Sequence, residues 1–417
     1  MRGLSYLWLM AGQIASIAVI QLVPMLTLSV SGYALYSAVY LGFAASVAIT
    51  YATISDVWAR ILRRIDPTPG LVHMFQAALT SMATASGALV GVVVGVSTAS
   101  LTLGLAAAAA TALAVYRSGV GYRMIAAGRM RRCGIADVTG AATSAVVAVL
   151  LLVADAYSPL TALLCWAVSA LVASLVLAVA PRASLSSTRA WVRTNKRDIV
   201  LLTGESAIKT TESVGTPYLV GIFGGVLALA LHRAASSLTY PVRLVVDMLR
   251  ARIISGAIGG TMRTLLIISA IGAVEGACVA AGLAVLGRWS VLGPDTIIVQ
   301  MAPHALAVGA WVWTTSMPSF IQFAGRGGFS GRRLIVRRIL HTVIIIVITV
   351  GGVLTVGTAS VIWFAALAEL IAAPLWIPSR TDRRRATSAE PSDPSRPFPP
   401  TPGAGHTASQ RSGGHTA

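Results

Sequence analysis

The chain has 417 residues, 56% of them hydrophobic and only 11% charged, with a formal net charge of +18. A soluble domain carries roughly 25% charged residues, so a chain this apolar lacks the polar surface to face water on all sides and takes lipid as its solvent. The charge suggests a nucleic-acid partner, but the basic residues fall between apolar runs, where they act as topology signals, and no nucleic-acid partner is expected.

A membrane core about 30 Å thick takes about 20 apolar residues to cross as a helix. Apolar runs of that length predict twelve spans at about 4–28, 34–57, 71–96, 101–126, 135–154, 160–180, 199–222, 226–249, 264–286, 296–324, 334–356 and 360–378. The alternation of a membrane β-barrel is absent, which leaves an all-α bundle. The first run is too long for a cleavable signal and continues into a full span. The three cysteines, Cys133, Cys165 and Cys278, are scattered and form no disulfide or zinc spacing.

Taken in chain order, span 1 carries Pro24, and span 4 carries Arg117 and Arg123. The basic stretch 181–198 divides an N-lobe, 1–180, from a C-lobe, 199–378. Span 7 concentrates charge: Glu205, Lys209 and Glu212 are spaced i, i+4, i+7 and fall on one helical face. Late in the same span comes Pro217. Span 8 holds His232 and Arg233 about one-third of the way in, then Pro241 in its middle and Arg243 and Asp247 near its end. Glu275 lies in span 9 and His304 in span 10. Arg123 and Arg243 are close enough to the basic side to snorkel out of the membrane. The tail, 379–417, is rich in Pro, Ser, Thr, Gly and Arg and is expected to be disordered.

Lys and Arg set the orientation. Of the 32, 26 fall on one side, one (Arg288) on the other, and five within spans. The rich side is expected to be cytoplasmic, and an even number of spans puts both termini there. External loops are short, the longest near Gly287–Asp295, which leaves no room for an extracytoplasmic catalytic domain.

The two halves resemble each other. "LMAGQ" at Leu9–Gln13 matches "LLTGE" at Leu201–Glu205, "ALYSA" at Ala34–Ala38 matches "ALHRA" at Ala230–Ala234, and "AGR" at Ala127–Arg129 recurs at Ala324–Arg326, with offsets of 192, 196 and 197. Both halves start on the same side, so the repeat is parallel. Two six-helix lobes about a central cavity is an architecture for alternating access.

An ion at mid-bilayer costs roughly 2.5–3.5 kcal/mol even on the lenient insertion scale, so the span 7 charges must face protein or a water-filled cavity. Two readings stay open. Glu205, Lys209 and Glu212 form a self-neutralising chain that locks span 7, or their face lines the cavity. In the second, Lys209, Arg233, Arg117 and His232 meet an anionic substrate, while Glu205, Glu212 and Glu275 balance charge or carry a coupling ion. Pro24, Pro217 and Pro241 bend their helices, either as gates or as fixed kinks. No phosphate loop or zinc-protease motif is present, "GESAIKTT" at Gly204–Thr211 having the wrong spacing. No cofactor or metal is implied, and no enzyme reading gains support.

Twelve spans in two lobes, with a charged face on span 7, resemble the multidrug/oligosaccharidyl-lipid/polysaccharide exporter superfamily. The chain looks most like the polysaccharide flippases of the Wzx type. "SGYALYSAVYLGFAASVAITYATISDVWARIL" (Ser31–Leu62) resembles that family's second helix and "LALALHRAASSLTYPVRLVVDMLRARI" (Leu227–Ile253) its eighth. The resemblance implies transport of a polyprenyl-diphosphate-linked oligosaccharide from the inner to the outer leaflet of a bacterial cytoplasmic membrane. It implies membrane lipids and polysaccharide-assembly glycosyltransferases and a polymerase as partners. Twelve spans differ from the fourteen of the lipid II flippases, which argues against lipid II as cargo. Two other functions compete: an ion-coupled exporter of cationic drugs, and a non-transporting scaffold of a glycan-assembly complex.

Overall fold

The structure, a computed structural model, describes residues 2–62, 67–241, 262–288, 293–326 and 331–377. Arg243, Asp247 and the tail lie outside the described residues, as does the side chain of Glu205.

Spans α1 to α6 are Leu7–Thr27, Val30–Leu62, Pro69–Thr98, Leu101–Ala126, Met130–Val153 and Pro159–Leu177. Four further helices, α9 to α12, are Arg263–Leu286, Ile297–Ile321, Ile335–Val356 and Thr358–Trp376. Between the two sets runs one continuous apolar helical stretch, Leu202–Leu238, of 37 residues. A straight helix of that length would be about 55 Å long, nearly twice the hydrocarbon thickness. Gly225 resolves the mismatch. Its φ of 78° and ψ of −173° break the helix, and this backbone region is essentially open to glycine alone. A Cβ on Gly221 would stand 3.2 Å from the Cβ of Leu229, two residues that a straight helix would hold about 12 Å apart. The chain therefore folds back, giving α7 (196–224) and α8 (226–238). Among the described residues this gives eleven full spans and a 13-residue α8, about 20 Å long, which is the described part of the twelfth.

Two expectations change. The basic linker is helical for most of its length: the helix starting at Leu185 runs into α7 through a bend at Asn195. Its Trp191 is 1% exposed and donates from Nε1 to the Thr53 carbonyl at 3.1 Å. Arg60 pairs with Asp198 at 2.9 Å. The linker thus docks on the N-terminal half. Pro241 also lies outside a helix middle. The helix ends at Leu238, a turn at Thr239 follows, and Pro241 comes after the break instead of bending a continuous span.

Small residues draw the third and fourth spans of each half together. Gly87 and Gly91 on α3 lie so close to Ala108 and Ala112 on α4 that a Cβ would come within 2.6–2.7 Å. Gly272 and Gly276 on α9 meet Ser316 and Gly309 on α10 at 2.3 Å in the same way. Four-residue glycine spacing lets membrane helices approach backbone to backbone. The halves share a second device. A wide π turn covers Ala18–Leu22 just before Pro24 and another covers Thr211–Gly215 just before Pro217. Proline has no N–H to give to the preceding turn, and the wider turn absorbs the missing bond.

The apolar core is asymmetric along the membrane axis. At the arginine-poor end one cluster joins both halves, from Met25, Tyr33 and Leu163 to Leu231, Ile297 and Val361. Backbone seals it there: Val30 N–H donates to Asp295 O at 2.9 Å, and Ser29 bridges Thr296. At the arginine-rich end the core separates into a cluster around Trp58, Phe75 and Trp191 and a small one around Ile345 and Ala368.

Candidate functional site

Three adjoining cavities of about 200, 490 and 510 Å³ lie between the halves. Ala44 of α2 lines all three, so they meet along one wall. The first reaches α8 and the C-terminal half, the second the N-terminal half, and the third runs along α7 toward the arginine-rich end.

Arg233 comes from α8 and is 9% exposed. Its Nη1 donates to Ser236 Oγ at 2.9 Å and its Nη2 to Gln21 Oε1 at 3.4 Å. The guanidinium carbon lies 4.3 Å from the centre of the Tyr40 ring, within cation–π reach. Gln21 Nε2 donates onward to the Tyr40 hydroxyl at 2.9 Å. Gln21 and Tyr40 belong to the first half and Arg233 to the second, so this cluster crosses the interface. Among the described residues no carboxylate pairs with Arg233. His232 lines the same cavity, its ring 5.0 Å from that of Trp311.

Lys209 is exposed where it lines the second and third cavities. Glu212, three residues on, lines the first instead. The shared face expected from the i, i+4, i+7 spacing does not persist, because the π turn begins at Thr211 and changes the angle per residue. Glu212 turns into the second half. Its Oε2 accepts from Thr342 Oγ1 at 3.1 Å, lies 3.1 Å from His341 Nδ1 and 3.6 Å from Arg338 Nη2. His341, wholly buried, has Nε2 3.8 Å from Glu369 Oε2 on its other side. An imidazole held between two carboxylates can pass a proton from one to the other. Neither stands out in the sequence: Glu369 is a lone charge in an apolar span, and His341 follows a basic run, Arg332–Arg338, that reads as a topology signal.

Arg117 lines the second cavity but pairs with Asp137 of α5. Asp137 is buried and lies just after the basic run Arg129–Arg132, where an acid carries no signal of its own in the sequence. Arg117 enters the site as half of an ion pair. Glu275 on α9 and His304 are not among the residues lining these cavities. Pro217 lines the first, while Pro24 packs in the core.

The described residues form a bundle of long apolar helices whose two halves meet at a polar, charged cavity. Solved structures share this fold. The chain is similar to an outward-facing multidrug resistance MATE family transporter of the MOP superfamily, at TM-score 0.54 and 14% identity, over 93% of this chain and 95% of that one. It is also similar to the lipid II flippase MurJ in an inward closed conformation, at TM-score 0.64 and 9% identity, over 92% of this chain and 90% of that one. The chain has the fold of the multidrug/oligosaccharidyl-lipid/polysaccharide exporter superfamily. No family model and no curated protein matches the sequence.

Proposed function

We propose that this protein flips a polyprenyl-diphosphate-linked oligosaccharide from the inner to the outer leaflet of a bacterial cytoplasmic membrane, by alternating access, with both termini in the cytoplasm. The observation that carries the reading is the charge pattern of the cavity. The acids nearest the void are engaged: Asp137 by Arg117, Glu212 by Arg338 and His341, Asp56 by the Tyr122 hydroxyl at 2.8 Å. Among the described residues Arg233 has no acid beside it, and it sits where both halves can reach the cargo. A diphosphate needs cationic, multiply donating groups in a site shielded from water, and Arg233 with Lys209 supplies them. The tail of the lipid stays outside the bundle. The Glu212–His341–Glu369 chain is the coupling element, taking up a proton in one state and releasing it in the other.

The multidrug reading rests on the MATE likeness, which is one of fold. It would need a carboxylate turned to the cavity to hold a cationic drug, and the described acids there, Asp137, Glu212, Glu369 and Asp56, are engaged by bases or hydroxyls of the protein.

The test is the pool of polyprenyl-diphosphate oligosaccharide in a deletion strain of the source bacterium, with surface polysaccharide scored in the same cells. Accumulation of the intermediate and loss of the polymer, restored by the wild-type chain and not by Arg233→Ala, is expected. An unchanged pool with intact polymer, together with new sensitivity to cationic compounds, contradicts the reading and supports drug export.

A further inference from the structure

The second cavity differs in chemistry from the one at Arg233. Its walls combine an aromatic and neutral-polar side with Lys209 and the Arg117–Asp137 pair. Trp166 stands at its back, stacked on Tyr40 with ring centres 5.6 Å apart and edge-on to Phe43 at 4.9 Å. Phe43 and Tyr40 are only half-buried and line the void. Facing them, the Gln13 amide and the Ser169 hydroxyl line the same void and form no hydrogen bond with any described residue. The one acid there, Asp137, is held by Arg117. Away from Lys209 and that pair, the aromatic and amide side suits a neutral, hydroxyl-rich ring with an apolar face. An amide both donates and accepts, and an aromatic face takes C–H surface.

Tyr40 belongs to both cavities. Arg233 lies over its ring and Trp166 stacks on it, so the cationic and aromatic surfaces are contiguous. We propose that the aromatic cavity of the N-terminal half is a sugar subsite, in which the saccharide next to the diphosphate rests on Phe43, beside the edge of Tyr40, and is hydrogen-bonded by Gln13 and Ser169 while Arg233 holds the phosphates. This rests on the flippase reading. It makes the N-terminal half the reader of the glycan and the second half the reader of the diphosphate.

The experiment uses the full-length protein in lipid nanodiscs. Two probes are compared: the lipid-linked oligosaccharide purified from the deletion strain, and polyprenyl diphosphate without sugar. The wild-type chain is expected to bind the glycosylated probe about tenfold more tightly. Phe43→Ala and Gln13→Ala remove that preference and keep the affinity for polyprenyl diphosphate, whereas Arg233→Ala weakens both probes. Gln13 makes no hydrogen bond to the protein, so its variant remains informative if Phe43→Ala fails to fold. Equal wild-type affinity for the two probes overturns the subsite and leaves the flippase reading standing. So does a Gln13→Ala variant that keeps the full preference. Failure of any lipid-linked oligosaccharide to accumulate, or binding of neither probe, overturns the flippase reading and the subsite with it.

Discussion

Arg233 is held by Ser236, Gln21 and the face of Tyr40, all neutral groups. Removing its guanidinium strands no buried counter-charge, so Arg233→Ala should fold and fail in transport. Charge-assisted hydrogen bonds contribute about 1.5–3 kcal/mol, which corresponds to a loss of substrate affinity of about 10- to 100-fold, measured by titrating polyprenyl diphosphate. Arg233→Lys keeps the charge and loses the planar fork, and should recover only part of that affinity. Glu212 behaves in the opposite way. Arg338 is buried and His341 wholly so, and both lean on the Glu212 carboxylate. Glu212→Ala removes the carboxylate they share and should cost about 3–5 kcal/mol of stability, read as a fall in thermal unfolding temperature in detergent. Unchanged stability would remove Glu212 from the network. The sequence exposes these charges but misses their company. Asp137 and His341 sit beside basic runs that read as topology signals and Glu369 is a lone acid in an apolar run, and only the packing of helices far apart in sequence brings them to Arg117 and Glu212.

The number of helices is legible from hydropathy because every span must satisfy its own backbone in lipid. Where a helix bends is less so. A π turn has no residue signature of its own, and Thr211–Gly215 rotates Glu212 away from Lys209 although simple helical spacing aligns them. Proline marks the place without giving the geometry: Pro24 and Pro217 each follow such a turn, and Pro241 follows a helix end. The close glycine crossings make a sharper prediction. Gly91→Leu and Gly276→Leu should each destabilise the fold by about 1–3 kcal/mol or more through overpacking, because the facing atoms are backbone or a short Cβ. Gly225→Val has open space around it and should still cost about 1–3 kcal/mol through its backbone angles alone. Gly351→Ala, on a helix with nothing within 4 Å, is the matched control and should stabilise by about 0.5–1 kcal/mol. Thermal unfolding of the four variants under one condition separates packing from backbone strain.

For the molecule as a whole, the two halves share one core at the arginine-poor end and part toward the arginine-rich end. The Ser29–Thr296 bridge and the Val30–Asp295 hydrogen bond hold the first end shut. Transport by alternating access requires that these contacts break. A Ser29→Cys, Thr296→Cys pair, in a chain with Cys278 replaced by Ser, should therefore stop transport when oxidised and regain it on reduction. Full activity of the oxidised pair would mean that the arginine-poor end does not open. Three short matches of nearly constant offset were visible in the sequence and suggest parallel halves. The cavity's division into a cationic part and an aromatic part was not, because Gln13, Phe43 and Trp166 are unremarkable in their own segments and acquire meaning only where α1, α2 and α6 converge.

The most direct test of the flippase reading is transbilayer movement itself. The purified chain is reconstituted into liposomes carrying the lipid-linked oligosaccharide in both leaflets, and the fraction open to an added, membrane-impermeant glycan-cleaving or glycan-binding reagent is followed in time. With the wild-type protein and an imposed proton gradient, the protected half of the pool should become accessible, and Arg233→Ala should hold it near the value for empty liposomes. Protected lipid that stays protected with the wild-type chain, in vesicles where the same preparation moves a cationic dye, would contradict the account and make the protein an exporter of cations.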